Sequence, residues 1–173
     1  MAKMPALLEP CARAEITIET EMMHIHTVNF GEIEVPVDKV LDFKEGVPGF
    51  PQIHRFATLD FEDLKPFQYL QALDEPPIAL LIVNPFFVDP DYKFQLSASD
   101  MEDIQTTTPE DVAVYAVATI PEDPEQATVN LMAPIVINVK KRCGKQVILH
   151  ESGYSVKHPL FKASKSEAHN ERR

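Results

Sequence analysis

The chain has 173 residues, 45% hydrophobic and 25% charged, enough for one domain whose core needs neither disulfides nor a metal. Its 27 acidic against 16 basic side chains give a formal net charge of -11, which repels nucleic acid and suits a basic partner or simple solubility. The two cysteines, Cys11 and Cys143, make no disulfide framework. No apolar run approaches the roughly 18 residues of a membrane span, and Glu9 and Pro10 end the short apolar patch 6–8, so a cytoplasmic protein is expected.

Residues 1–22 lack periodicity and read as a flexible extension, with Met22 and Met23 just before the first patterned segment. The domain is expected over residues 23–160, followed by a polar tail, 161–173. Within it strand signals dominate. Residues 24–35 alternate in short stretches broken at Gly31, which predicts a bulge or hairpin turn. Strands are predicted over 55–60, 67–73 and 79–83, the last stopped by Asn84 and Pro85. Tyr92, Phe94 and Leu96 alternate with Lys93 and Gln95 and predict a half-buried strand. Residues 112–120 are almost wholly apolar and predict a central strand; Ile135, Ile137 and Val139 share one strand face, and 147–149 predicts another strand. Helical signals are brief. Ser99 and Glu102 have capping-box spacing, and Thr108 before Pro109 predicts a single turn, as does 122–126. Fifteen prolines against five glycines, with many short strands, point to a mainly β barrel or sandwich with a few short helices.

Tests for catalytic chemistry fail. His24 and His26 share a strand face and begin a metal site, but no third ligand lies near in sequence; surface or packed histidines are the expectation. The acidic clusters around Asp60 and Asp100 lack the glycine and ligand spacing of a calcium loop. Residues 46–50, Gly-Val-Pro-Gly-Phe, lack the Gly-Lys-Ser/Thr ending of a phosphate loop. They read as a structural turn with Phe50 in the core, or as a recognition loop tipped by Phe50. No Gly-x-Ser-x-Gly elbow is present, and Cys143 has no activating context. No cofactor, metal site or catalytic residue is therefore expected, and the competing readings are a metal-dependent barrel enzyme at His24 and His26 or a general acidic interaction module.

Several segments, in order, resemble the flagellar assembly factor FliW family. They are Phe30-Gly31-Glu32-Ile33-Glu34-Val35, then Glu45-Gly46-Val47-Pro48-Gly49-Phe50 with Arg55-Phe56, and Pro66-Phe67-Gln68-Tyr69-Leu70-Gln71-Ala72-Leu73. Next come Thr128-Val129-Asn130-Leu131-Met132-Ala133-Pro134-Ile135-Val136-Ile137-Asn138 and Gly144-Lys145-Gln146-Val147-Ile148-Leu149, and last the stretch 154–160 ending His158-Pro159-Leu160. Ala72 stands where serine is common in the family and Val129 where alanine is common, and the extension 1–22 is atypical. The resemblance implies a small antiparallel β-barrel-like domain with a few short helices. It also implies two protein partners and no direct contact with nucleic acid or membrane. One partner is flagellin, bound before export. The other is the translational regulator CsrA, whose repression of flagellin mRNA is antagonised. Candidate partner-binding residues are Phe50, Asn130, Leu131, Pro134 and Asn138, with Tyr154, His158, Leu160 and Phe161 in the C-terminal segment that the resemblance favours for CsrA. Pro134 suits an edge strand or a bulge.

Overall fold

Alternation in the first patterned segment produces an amphipathic hairpin. In the computed structural model, which describes residues 20–161, strands β1 (Met22–Thr27) and β2 (Gly31–Pro36) pair in antiparallel register. Gly31, at φ +69°, takes the left-handed conformation the turn requires. The first strand starts at Met22, inside the span expected to be extension; residues 1–19, including Cys11, and 162–173 lie outside the described residues. Ile25 and Val35 are buried with Ala57 and Leu59, so the hairpin lies as a cover on two strands of the main sheet. His24 and His26 face outward opposite Glu34 and Glu32.

The main sheet contains β3 (Val40–Asp42), β4 (Arg55–Leu59), β5 (Phe67–Ala72), β6 (Ala79–Val83), β7 (Val112–Thr119), β8 (Thr128–Asn138), β9 (Cys143–Gln146) and β10 (His158–Pro159). Neighbours from β3 through β8 run antiparallel, β9 pairs with β8, and one parallel pair, Asp42 with Cys143, joins β9 to β3. Seven strands thus close into a barrel, which removes the open edges of the sheet, and β10 adds outside the circuit along β8. Two short helices, α1 (Pro85–Val88) and α2 (Ala98–Asp103), connect β6 to β7. The expected mainly β barrel with few short helices is therefore the observed fold.

Strand period sorts the side chains into two cores. Phe43, Phe56, Leu70, Ile82, Ile135 and Ile137 fill the barrel interior, with Leu80, Tyr115 and Val117 packed against them. The intervening residues Val83, Ala116, Ala118, Val129 and Leu131 form a second core outside the wall, covered by Tyr92, Tyr154 and Leu160. Between them the two cores bury both faces of β6–β8, which explains the near-continuous apolar run in β7.

Four sequence expectations differ from the structure. Residues 92–96 form no strand. Tyr92 and Phe94 pack against the outer core from a segment without a ladder partner, and an extended chain lying on an apolar face alternates just as a strand does. The strand expected at 147–149 is displaced to β9; within 147–149, Val147 N and Leu149 N bond to β8, at Pro134 O (2.9 Å) and Met132 O (2.8 Å), without forming a ladder. Val139 is exposed, because β8 ends at Asn138. The cap of α2 is Ser97, whose Oγ accepts from Asp100 N at 3.1 Å while Asp100 reaches back to Ser97 N, so the capping box falls two residues earlier than Ser99 and Glu102.

One ion triad ties α2 to the barrel. Lys145 Nζ lies 3.0 Å from Asp100 Oδ1 and 2.7 Å from Asp103 Oδ2, carboxylates three apart and on one helix face. Hydrogen bonds to Asp103 and Asp100 push the Lys145 ammonium up. Burial works to raise the Asp100 carboxyl, but hydrogen bonds from Ser97 and Lys145 outweigh it and hold the group below its ordinary value. A carboxyl depressed in the folded state adds stability at pH values above its unfolded pKa and loses it as pH falls through the folded value. Urea unfolding between pH 7 and pH 2 is therefore expected to show a loss of stability below about pH 4 that is smaller in Asp100→Asn; equal losses in both proteins would contradict the assignment.

Gly144 is fixed by contact. A Cβ there would meet Phe43 Cζ at 2.6 Å, and Phe43, fully buried, has no space to retreat. Gly144→Ala is expected to cost about 1–3 kcal/mol in urea unfolding, and Phe43→Leu placed in the same chain is expected to recover part of that loss.

Candidate partner-binding surface

Strand β8 carries the densest group of sequence candidates, and its backbone is irregular where they lie. Tyr115 pairs with Ile135 and Val117 with Asn130, so Ala116 alone faces the four residues 131–134. This is a bulge of four residues against one, and it holds Pro134, whose missing N–H would break a regular ladder. The edge-strand alternative for Pro134 is not what forms: β8 has β7 along one side and β9 or β10 along the other.

Buried carbonyls in such a bulge need partners, and each finds one. The Tyr92 hydroxyl donates to Leu131 O at 2.8 Å, Leu149 N to Met132 O at 2.8 Å, Gln146 Nε2 to Ala133 O at 2.8 Å, and Val147 N to Pro134 O at 2.9 Å. Asn130 Oδ1 accepts from Ala133 N at 3.0 Å, and Leu131 N donates to Ser155 O at 3.1 Å. The bulge is thus held by the chain that follows β9 and by Tyr92, whose hydroxyl burial pushes well above its ordinary value.

The C-terminal segment is pinned over the outer core. The Tyr154 hydroxyl donates to Lys93 O at 3.1 Å and accepts from Lys93 N at 2.9 Å, and its ring centroid lies 4.6 Å from that of Tyr92. His158 pairs with Val129, and Leu160 N donates to Ala127 O at 2.8 Å. Phe161 then projects with 54% of its surface exposed.

The candidates fall into two groups. Leu131, Pro134 and Asn138 are inside. Asn138 uses both ends of its amide internally: Nδ2 donates to Ile104 O and Gln105 O, and Oδ1 accepts from Lys140 N and Lys141 N, all at 3.0 Å. These three shape the strand. Asn130, Tyr154, His158 and Leu160 are partly accessible and Phe161 is exposed, all on or beside β8 and β10. Phe50 is half-buried in the 46–50 turn, packed against the barrel interior. Sequence reasoning missed Tyr92 as the anchor of the bulge, because its partner Leu131 lies 39 residues away. His24 Nε2 lies 3.3 Å from Glu34 Oε1 on an exposed face, and among the described residues no cluster of three His, Cys, Asp or Glu side chains is placed to hold a metal. The buried Cys143 thiol, pushed up by burial and by Asp42, hydrogen-bonds to Ile104 O at 3.1 Å. No described helix is long and apolar enough to cross a membrane.

Comparison with known proteins gives one family. Residues 24–160 match the model of the FliW protein family. The flagellar assembly factor FliW of Caldicellulosiruptor saccharolyticus is 42% identical over 76% of this chain and 86% of its own length. That of Thermosipho africanus is 38% identical over 82% of this chain and 99% of its own. A crystal structure of the flagellar assembly factor FliW superimposes with a TM-score of 0.76 at 38% identity, covering 81% of this chain and 98% of that one.

Because Tyr92 supplies the hydrogen bond that Leu131 O needs in the buried bulge, Tyr92→Phe is expected to cost about 1–3 kcal/mol in urea unfolding. Amide hydrogen exchange is expected to rise at residues 130–133 and 149–155 before the rest of the barrel opens.

Proposed function

The chain belongs to the FliW family of flagellar assembly factors, and we propose that it works in the cytoplasm as a binding protein with two exchangeable partners, without catalysing a reaction. One partner is flagellin, held before export. The other is the translational regulator CsrA, whose repression of flagellin mRNA is relieved when this protein binds it. Accumulating flagellin takes the protein away from CsrA and so restores repression. The observation that carries this reading is the family match, which runs through the whole domain from residue 24 to 160.

Two physical features support it. A net charge of -11 suits a regulator that reads RNA with basic residues, and a negative body held beside it also repels the RNA. The accessible candidates Tyr154, His158, Leu160 and Phe161 lie along the C-terminal segment, where a partner would find an exposed aromatic next to backbone of the short outer strand β10, and Asn130 lies on the adjoining strand β8.

The test is a titration of a CsrA–RNA complex with the purified protein, followed by flagellin, at low and high salt. RNA is expected to leave CsrA as the protein is added, less completely at high salt, and to return when flagellin is added. Absence of binding to both proteins would refute the reading, and release that is insensitive to salt would refute the electrostatic part alone.

A further inference from the structure

The ladder between β6 and β7 stops short. Ile82 pairs with Val117 and Val83 with Ala116, but residues 79–81 of β6 have no partner in β7. Continuing the register would set Leu80 against Thr119, and there the strands part. The three-residue excess in β8 falls on the next strand round the wall, opposite Ala116. Together the splay and the bulge open one end of the barrel. The opening is a concave mouth of about 740 Å³. Leu80, Val117, Asn130 and Met132 line its walls, and Pro48, from the Gly-Val-Pro-Gly-Phe turn, Ile148 and Val156 contribute from its surroundings. Leu80 and Val117 belong to the interior face, so the mouth continues the hydrophobic core outward.

Two observations and one general tendency argue for a binding site here. Ile148 (47% exposed) and Val156 (52%) line it, and Ile120 directly precedes its wall residue Pro121, which puts two exposed large aliphatics at the opening and a third beside it in the chain. The mouths of β-barrels are a recurrent place for ligands. The rim carries charge: Pro121, Gln126 and Lys157 line the mouth, and in the loop between Pro121 and Gln126 the exposed Glu122, Asp123 and Glu125 stand with no basic partner among the described ion pairs, outnumbering the one lining lysine. An apolar floor beside an acidic rim is complementary to an apolar peptide segment flanked by basic residues.

We propose that the barrel mouth receives such a segment of a partner protein, its apolar side chains entering between Leu80, Met132 and Ile148 while its Lys or Arg side chains meet Glu122 and Glu125. The proposal rests on the reading above, that flagellin and CsrA are the partners, and adds where one of them inserts. It gives the turn at 46–50 a role as a wall of the site, through Pro48, in addition to its packing of Phe50.

The experiment titrates purified flagellin and purified CsrA separately into three forms of the full chain: wild type, Ile148→Asp with Val156→Asp, and Glu122→Gln with Glu125→Gln. All four substituted side chains are exposed, so folding is expected to survive, and thermal unfolding checks it. At least one partner is expected to bind the aspartate pair at least tenfold more weakly. The same partner is expected to associate more slowly with the glutamine pair, with a shallower salt dependence. Wild-type binding that neither pair of substitutions alters would overturn the mouth while leaving the partner reading standing. Failure of the wild type to bind either protein would remove both. If the free protein dimerises and the aspartate pair makes it monomeric, the occupant is a second copy of this chain and the proposal fails.

Discussion

Strand β8 has to serve two sets of neighbours at once, and the rest of the barrel depends on how it does so. Its first residues pair with β10 and its last with β9, while β7 runs along the opposite side. Between those pairings, residues 131–134 lie outside any regular ladder. Four buried or partly buried carbonyls there would be costly without donors. The donors come from Tyr92, from Gln146, and from the backbone of Val147 and Leu149. The connection between β6 and β7 and the chain after β9 are thereby held against one strand, and the Asp42–Cys143 pair completes the circuit.

The same irregularity links fold to function. A regular β8 would continue its pairing with β7 and draw the wall shut. The bulge, with the early end of the β6–β7 ladder, leaves one pole of the barrel concave and lined with apolar residues. The C-terminal segment crosses beside that pole on its way to β10, contributing Val156 to the mouth and Phe161 to the surface beyond. At the hairpin β1–β2, Ile25 and Val35 are buried beneath, and His24, His26, Glu32 and Glu34 face outward, with Val28 exposed in the turn.

Much of the architecture could be read from residue order because it is local. Gly31 marks the hairpin turn, Asn84-Pro85 ends β6, and Pro109 opens the turn before β7, each through the backbone restriction of a single residue. Burial of β7 on both faces left the apolar run that predicted a central strand. What escaped depended on distant partners. Alternation at 92–96 identified which residues would be buried but could not distinguish pairing from packing, and Tyr92 serves a carbonyl 39 residues away. For the site, Asn130 and Phe161 were found at accessible positions, whereas Leu131 and Asn138, equally prominent in the sequence, proved to be buried supports. No one-dimensional signal distinguishes an asparagine left partly accessible from one buried in a turn. The mouth could not be seen at all, since it is made where the β6–β7 ladder stops and the β7–β8 ladder is interrupted by the bulge.

The proposed partner site is the open pole together with the C-terminal segment. Amide hydrogen exchange of the full chain, free and saturated with flagellin or with CsrA, tests that most directly. For at least one partner, new protection is expected at residues 121–133 and 148–161, with the hairpin at residues 22–36 unchanged. Protection confined to the hairpin, with the open pole exchanging as in the free protein for both partners, would contradict it.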